Sequence, residues 1–134
     1  MASVLKVDSI TGVTTAGSIS VTGEGNSTTT NLQQGLAKAF AHITGAGFTL
    51  TDGFNASSTT DGGTGKVTLS YTNSMSNTTY STGGITYNRA AGSSNAEGGL
   101  TTSATHYQLV DTGGNVSDIG GSQQLSTFTF GDLA

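Results

Sequence analysis

Short runs in which apolar and polar residues alternate, separated by glycine-rich turns, constrain the fold of this sequence more than any other feature. The clearest run is Val67, Leu69 and Tyr71, which follows a turn sequence at 61–65 with three glycines. A period of two residues places alternate side chains on opposite faces of a strand. Glycine-rich turns of this length join antiparallel neighbours. Residues 54–72 are therefore predicted to form a β-hairpin.

The same alternation predicts further strands along the chain. They cover 38–44, 80–88, 102–110 and 125–130, and the last is expected to turn Phe128 and Phe130 towards the core. Residues 89–101 lack this alternation and are predicted to be a long polar loop.

The segment from Asn31 to Ile43 fits two structures. As a helix, it would begin with Asn31 as the cap and Gln34 at the capping-box position. As a strand, it would begin near residue 38. Because Gly35 weakens a longer helix by about 1 kcal/mol relative to alanine, we predict a short helical turn at 31–37 that leads into the strand at 38–44.

Composition limits how this chain can be stable. Leu, Ile, Val and Phe together supply 26 of 134 residues, so the apolar core is thin. The net charge is only −4 and 9% of residues are charged, which argues against intrinsic disorder. We predict an all-β protein whose residues 31–134 form an antiparallel β-sandwich, jelly-roll-like or immunoglobulin-like. An extended N-terminal arm and linker at 1–30 and the one short helical turn complete the prediction.

The arm contains apolar residues in alternating pairs. They are Leu5, Val7, Ile10, Ile19 and Val21, and they are too few to fold by themselves. Segments of this kind add a strand to the edge of a partner's sheet. We predict that these five residues attach the protein to a partner and that a polar linker at 23–30 gives the arm its reach. The alternative is that the arm packs on its own domain or winds around oligomer partners.

A thin core and weakly charged strand edges together favour an oligomer. Unguarded edges of a monomer would be open to pairing with other chains, whereas a closed homo-oligomer covers them. We expect a homotrimer. The alternative is a secreted domain rich in Ser and Thr.

Several classes of chemistry are disfavoured by what the sequence lacks. It has no cysteine, so thiolate metal sites and disulfides are excluded. Its four cations, Lys6, Lys38, Lys66 and Arg89, are too few for a nucleic-acid partner. No segment is long and apolar enough to span a membrane. We expect no cofactor, no membrane partner and no enzymatic activity.

Two motifs with possible chemistry have simpler interpretations. Asp111, Thr112 and Gly113 spell the aspartic-protease triplet, but only 21 residues follow Gly113, and a turn between two strands explains the triplet better. Asp111 and Asp118 could hold Ca²⁺ through oxygen ligands, although a solvated loop is expected. His42 and His106 could bind an ion on a trimer axis, whereas a partly buried, hydrogen-bonded histidine is the default for each.

Three neighbouring segments carry a family resemblance: residues 36–45, residues 53–71 with a Phe-Asn start and an Asp-Gly-rich turn, and residues 72–80. They are similar, in that order, to the opening strand, the hairpin and the following segment of a domain common in structural proteins of marine tailed bacteriophages. Residues 127–132 end in Phe-Gly-Asp as that domain does, and 1–10 look like the N-terminus of such proteins. The similarity covers 36–88 well and 125–132 in part, but not 89–124.

The resemblance implies a non-enzymatic component of the virion. It would be a capsid decoration (cement) protein or short head fibre bound to the major capsid protein or another virion protein. The alternative is a tail-fibre or tail-tip receptor-binding module. This sequence departs from the family at Phe40, where tryptophan is common, and at His42, where asparagine is common.

Overall fold

The computed structural model describes residues 5–12, 19–22, 29–45, 47–87, 94–111 and 113–134. The chain divides into two compact units, Met1–Gly35 and Leu36–Ala134. In the described residues, regular structure is antiparallel β apart from one four-residue helix. The predicted all-β class is confirmed.

The first unit contains a small antiparallel ladder. Strand β1 (Ser20–Thr22) pairs with β2 (Thr29–Asn31), and the helix α1 (Leu32–Gly35) follows at once. The Leu32 amide donates a hydrogen bond to the Ile19 carbonyl oxygen at 2.8 Å, which ties α1 to the residue before β1. The linker predicted at 23–30 is wrong at its end, because residues 29 and 30 are held in this ladder. Residues 23–28 lie outside the described part.

The second unit consists of two four-stranded sheets. Its strands are β3 (Ala37–Thr44), β4 (Thr49–Phe54), β5 (Ala56–Asp61), β6 (Lys66–Tyr71), β7 (Ser81–Tyr87), β8 (Ser94–Leu100), β9 (Ala104–Leu109) and β10 (Gln124–Phe130). The first sheet has the order β4-β3-β10-β7 and the second the order β5-β6-β9-β8. Every neighbouring pair is antiparallel.

Most predicted strands are present, and one predicted loop is not. The β5–β6 hairpin confirms the prediction for 54–72, and β3, β7, β9 and β10 confirm the strands predicted around them. The loop predicted at 89–101 is wrong, because β8 (Ser94–Leu100) pairs with β9 as an edge strand. Pairing with a neighbour decides strand formation here, where the glycine-rich sequence carries no strand preference of its own. Residues 88–93 lie outside the described part.

The chain passes from the first sheet to the second at Asn55, between β4 and β5. Asn55 has φ of 54°, a left-handed conformation that asparagine tolerates better than most residues. Its side-chain Nδ2 donates to the Asn73 carbonyl oxygen at 3.0 Å, and the Asn73 amide donates to Asn55 Oδ1 at 2.6 Å. These two bonds hold the corner against the segment that follows β6.

One hydrophobic core joins the two sheets. Its buried members alternate along the strands, with Ala39, Ala41, Ile43 and Leu125 from the first sheet and Val67, Leu69, Tyr71, Tyr107 and Leu109 from the second. Phe48, Met75, Tyr80 and Ile119 contribute from connecting segments. Both sheets therefore contribute side chains to the same core.

The core also contains a network of hydroxyl groups that crosses between the sheets. Tyr71 Oη on β6 lies 2.5 Å from Thr105 Oγ1 on β9 and 3.1 Å from Thr129 Oγ1 on β10. Thr82 on β7 continues the network, with its Oγ1 at 2.6 Å from Tyr107 Oη and 3.3 Å from Thr129 Oγ1. Buried hydroxyls need such partners, because an unpaired one would cost about 1–3 kcal/mol.

Tyr80 joins this network from the segment before β7. Its hydroxyl lies 2.9 Å from Thr105 Oγ1 and 2.8 Å from the Thr101 carbonyl oxygen. Burial disfavours the charged phenolate and raises the pKa of Tyr80 to about 12. Burial raises the pKa of Tyr107 in the same direction.

The prediction that Phe128 and Phe130 face the core is wrong. On β10 the buried residues are Leu125, Thr127 and Thr129, and the two phenylalanines point to the opposite face. Thr129 lies inside, where its hydroxyl contacts the hydroxyls of Tyr71 and Thr82. A strand that buries its threonines must expose the residues between them.

Candidate interaction surface

The outer face of the first sheet carries a group of large apolar side chains. They are Phe40 on β3, Phe54 on β4, Phe128 and Phe130 on β10, and Ile85 on β7, with exposed fractions between 38% and 69%. We call this group the aromatic face. Single exposed apolar residues are ordinary on protein surfaces, but a contiguous patch marks an interaction site.

Three members of the aromatic face are direct neighbours in the sheet register, whereas Ile85 is the partner of Ser126 at its border. Phe40 is the cross-strand partner of Phe54 on one side and of Phe128 on the other. The rings of Phe40 and Phe54 stack, with centroids 6.3 Å apart and planes 24° apart. Directly paired residues of neighbouring strands have side chains in contact range. Three phenylalanines therefore form one row across the sheet.

A glycine extends this row on the next strand. Gly83 on β7 pairs with Phe128, and a Cβ atom at Gly83 would lie 2.7 Å from Phe128 Cζ. The ring therefore lies over the glycine, where no other residue would leave space for it. Phe128 also meets Phe130 edge to face, with centroids 6.0 Å apart and planes 60° apart.

A polar row borders the aromatic face. Asp52, His42 and Ser126 are successive partners across β4, β3 and β10. His42 Nδ1 lies 3.2 Å from Ser126 Oγ, and Asp52 Oδ1 accepts a hydrogen bond from the Gly53 amide at 2.8 Å.

This row has the residue types of a serine-hydrolase triad but not its geometry. In a triad, the histidine contacts the serine through Nε2 and holds the carboxylate with Nδ1. Here Nδ1 of His42 is engaged with Ser126, and Ser126 lies within a regular strand rather than at a strained turn before a helix. The row forms a cross-strand polar border instead.

The outer face of the second sheet is polar, in contrast to the aromatic face. Thr60, Thr68 and His106 are partners across β5, β6 and β9, and Thr68 Oγ1 lies 2.9 Å from His106 Nδ1. Ser58 and Ser70 form the next paired row. Among the side chains that the structure describes on these two outer faces, only those of the first sheet form a large apolar group.

The two histidines lie in different sheets. His42 and His106 are each partly buried and bonded to a hydroxyl on a neighbouring strand, His42 to Ser126 and His106 to Thr68. Within the described residues, no group of three or more His, Asp or Glu side chains could hold a metal ion. An ion bound by symmetry-related histidines stays a prediction.

The carboxylates of Asp111 and Asp118 are both engaged by backbone amides. Asp111 Oδ1 accepts from the Gly113 amide at 2.8 Å and from the Asn115 amide at 2.9 Å, the pattern of an Asx-type turn. Asp118 Oδ1 accepts from the Gly65 amide at 2.5 Å. Thr112 lies outside the described part. These contacts favour a turn at 111–115 over a catalytic or calcium-binding arrangement.

The five predicted attachment residues belong to the first unit. Leu5, Val7, Ile10 and Val21 are exposed, and residue 19 is partly buried beside β1. Residues 5–12 have no regular secondary structure. The four exposed apolar side chains are thus accessible, while their binding to a partner remains a prediction.

Sequence reasoning missed the aromatic face. The run Thr127-Phe128-Thr129-Phe130 can bury either its threonines or its phenylalanines. The phenylalanines were predicted to be buried because they are larger and more apolar. The available signal was the set of tyrosines in neighbouring strands, whose hydroxyls need partners when buried. Those hydroxyl partners would have indicated Thr129 as an inward-facing residue.

Among the described residues, no helix is long and apolar enough to cross a membrane. No family model matches the chain. Neither the curated proteins nor the solved structures give a significant match to it.

Proposed function

We propose that the chain is a non-enzymatic structural protein of a bacteriophage particle and works on the virion as a homotrimer. Its role would be that of a capsid decoration (cement) or short head-fibre protein, attached through its N-terminal arm to the major capsid protein or another virion protein. The observation that carries this proposal is the presence of two accessible apolar surfaces, one on the aromatic face and one on the arm.

Each of these surfaces suits assembly better than chemistry. A protein that acted alone would gain nothing from a row of half-exposed phenylalanines, which costs solubility. The arm offers Leu5, Val7 and Ile10 in a segment without regular structure, where backbone hydrogen bonds and alternate side chains can both engage the edge of a partner's sheet. One surface for self-association and one for attachment are what a repeated particle component requires.

The arrangement of the two sheets in the second unit also supports the proposal. Two antiparallel four-stranded sheets that share one core support a β-sandwich as the proposed architecture. A jelly-roll-like or immunoglobulin-like connection remains part of the proposal. Such a domain is a compact unit suited to projection from a surface while the arm reaches a neighbour. The resemblance of residues 36–88 and 125–132 to phage structural proteins points in the same direction.

The polar groups that could do chemistry have structural contacts instead. Asp111 and Asp118 hold backbone amides, and His42 and His106 bond hydroxyls on neighbouring strands. Each contact stabilises a turn or a strand pair. These contacts support a structural role.

Quantitative mass spectrometry of purified particles tests this proposal. A decoration protein should be present in roughly hundreds of copies per particle, whereas tail parts number about 3 to 18 from closed symmetry. The lower range would favour the alternative, a tail-fibre or tail-tip receptor-binding module. Absence from the particle would overturn both.

A further inference from the structure

We propose that the aromatic face is the surface through which copies of this chain pack against one another. The partner is a second copy of the chain, and the contact buries Phe40, Phe54, Phe128, Phe130 and Ile85. The inference rests on the proposed function only in taking the protein to be an oligomer.

The size of the face fits a stable protein interface. With about 200 Å² for a large aromatic side chain, the exposed fractions leave roughly 450 Å² of apolar area in one patch. This lies within the range of about 300–600 Å² for the largest apolar patch on a protein, and such patches are often functional. A stable interface buries about 800 Å² per partner, with an apolar centre and a polar rim. The aromatic face supplies the centre, and Asp52, His42 and Ser126 supply part of the rim.

The ring geometry favours a protein partner over a flat ligand. Phe40 and Phe54 are nearly parallel, with planes 24° apart, but Phe128 and Phe130 are inclined by 60°, so the four rings form an uneven surface and not one flat platform. Inclined rings instead leave ridges and gaps into which the side chains of another sheet can interdigitate, as in face-to-face sheet packing. Gly83 adds to this relief, since its backbone lies beneath the Phe128 ring.

The charge pattern favours a second copy over a foreign protein. Among the described residues of this face, Asp52 is the one carboxylate, and the lysine of β3, Lys38, is buried. Transient interfaces between different proteins are about as polar as the rest of the surface, whereas interfaces between identical subunits are more apolar. A nearly uncharged aromatic patch belongs to the second class, and identical copies with a net charge of −4 can meet here without strong repulsion.

The test compares matched lysine substitutions on the two outer faces. Ile85→Lys introduces a charge at an exposed position of the aromatic face, and Thr60→Lys does so at an exposed position of the polar face. Both variants of the full chain should remain folded, as a cooperative melt would verify. Sedimentation equilibrium should show that Ile85→Lys raises the dissociation constant of the oligomer by about 30-fold or more, since a hot spot is worth at least that factor. Thr60→Lys should leave it unchanged.

A second measurement follows the covering of the aromatic face directly. Because the chain has no cysteine, a single thiol introduced by Phe54→Cys or Thr60→Cys can be followed alone. Alkylation of Cys at position 54 should slow as protein concentration rises, and alkylation at position 60 should not.

A monomeric wild type at high micromolar concentration, or an oligomer that leaves position 54 fully reactive, would overturn the inference. A monomer bound through this face to another virion protein would also overturn it, yet would leave the virion placement intact. Absence of the protein from particles would remove the proposed function and leave the interface standing.

Discussion

The Tyr71 hydroxyl lies 3.1 Å from that of Thr129, and this contact joins the two sheets through the centre of the core. The same tyrosine contacts Thr105 on its own sheet. A threonine in the core of one sheet is thus matched to a tyrosine of the other. With Thr129 inside, the alternation of side chains along β10 turns Phe128 and Phe130 outwards.

Removal of the Tyr71 hydroxyl should therefore destabilise the fold. Tyr71→Phe leaves the hydroxyls of Thr105 and Thr129 without this partner, and we expect a loss of about 1–3 kcal/mol in the free energy of unfolding. Urea denaturation measures it. Thr60→Val, which removes an exposed hydroxyl, is the control and should change stability by about 0.5 kcal/mol or less. Equal effects of the two substitutions would contradict the role of the network.

Stability should fall as the solution becomes strongly alkaline. The pKa of Tyr80 is raised from 10.0 to about 12 in the folded protein, so the unfolded chain loses this proton first. The stabilisation is complete below about pH 10 and is lost as the pH rises towards about 12. Tyr107, whose pKa is also raised, acts in the same direction. Thermal melts from about pH 8 to about pH 11 should show a shallower decline for Tyr80→Phe than for the wild type.

The turn after β5 depends on a glycine with a left-handed backbone. Gly65 has φ of 65°, and a Cβ atom there would lie 2.5 Å from Val116 Cγ1 and 2.8 Å from the Leu109 carbonyl oxygen. Gly65→Ala should cost roughly 1–3 kcal/mol or more in stability. Gly47→Ala is the control, because a Cβ at Gly47 meets nothing within 4 Å. Similar melting of the two variants would show that the turn is not held as described.

Asp111 is expected to be structural. Asp111→Asn keeps an oxygen that can accept from the Gly113 and Asn115 amides, so stability should change by about 1 kcal/mol or less. Its particle binding should equal that of the wild type. If the wild type cleaved a peptide substrate and Asp111→Asn did not, the structural role would be wrong.

The sequence predicted elements where local signals were strong. The alternation of Val67, Leu69 and Tyr71 behind a glycine-rich turn identified the β5–β6 hairpin, because both signals act within a few residues. By contrast, β8 forms a strand because it pairs with β9, and the sequence of Ser94–Leu100 does not predict this pairing.

The side-chain orientation of β10 shows what could not be predicted from the sequence alone. In Thr127-Phe128-Thr129-Phe130, either the threonines or the phenylalanines could face the core. The inward Thr129 contacts Tyr71, which lies 58 positions earlier in the sequence. Because larger apolar residues are usually buried, Phe128 and Phe130 were predicted to face the core. The aromatic face was missed for the same reason. The arm residues Leu5 and Val7 are exposed, but no sequence signal identifies their partner.

Deletion of residues 2–25 should separate attachment from folding. The second unit, Leu36–Ala134, contains both sheets and the core, so the truncated protein should melt cooperatively. It should no longer bind particles that lack their own copy, because the arm is the proposed attachment element. A full-length variant with Leu5, Val7 and Ile10 replaced by serine tests the same point with less change. It should also fold and should also fail to bind these particles. Wild-type occupancy by the truncated protein would assign attachment to the sheets instead.

A cryo-electron microscopy reconstruction of the particle tests the central claim most directly, since it locates every ordered copy. The account predicts trimers on the virion surface, with the aromatic face of each copy covered by another copy and the N-terminal arm against the underlying virion protein. Particles without this density, or copies whose Phe40, Phe54 and Phe128 face solvent, would contradict it.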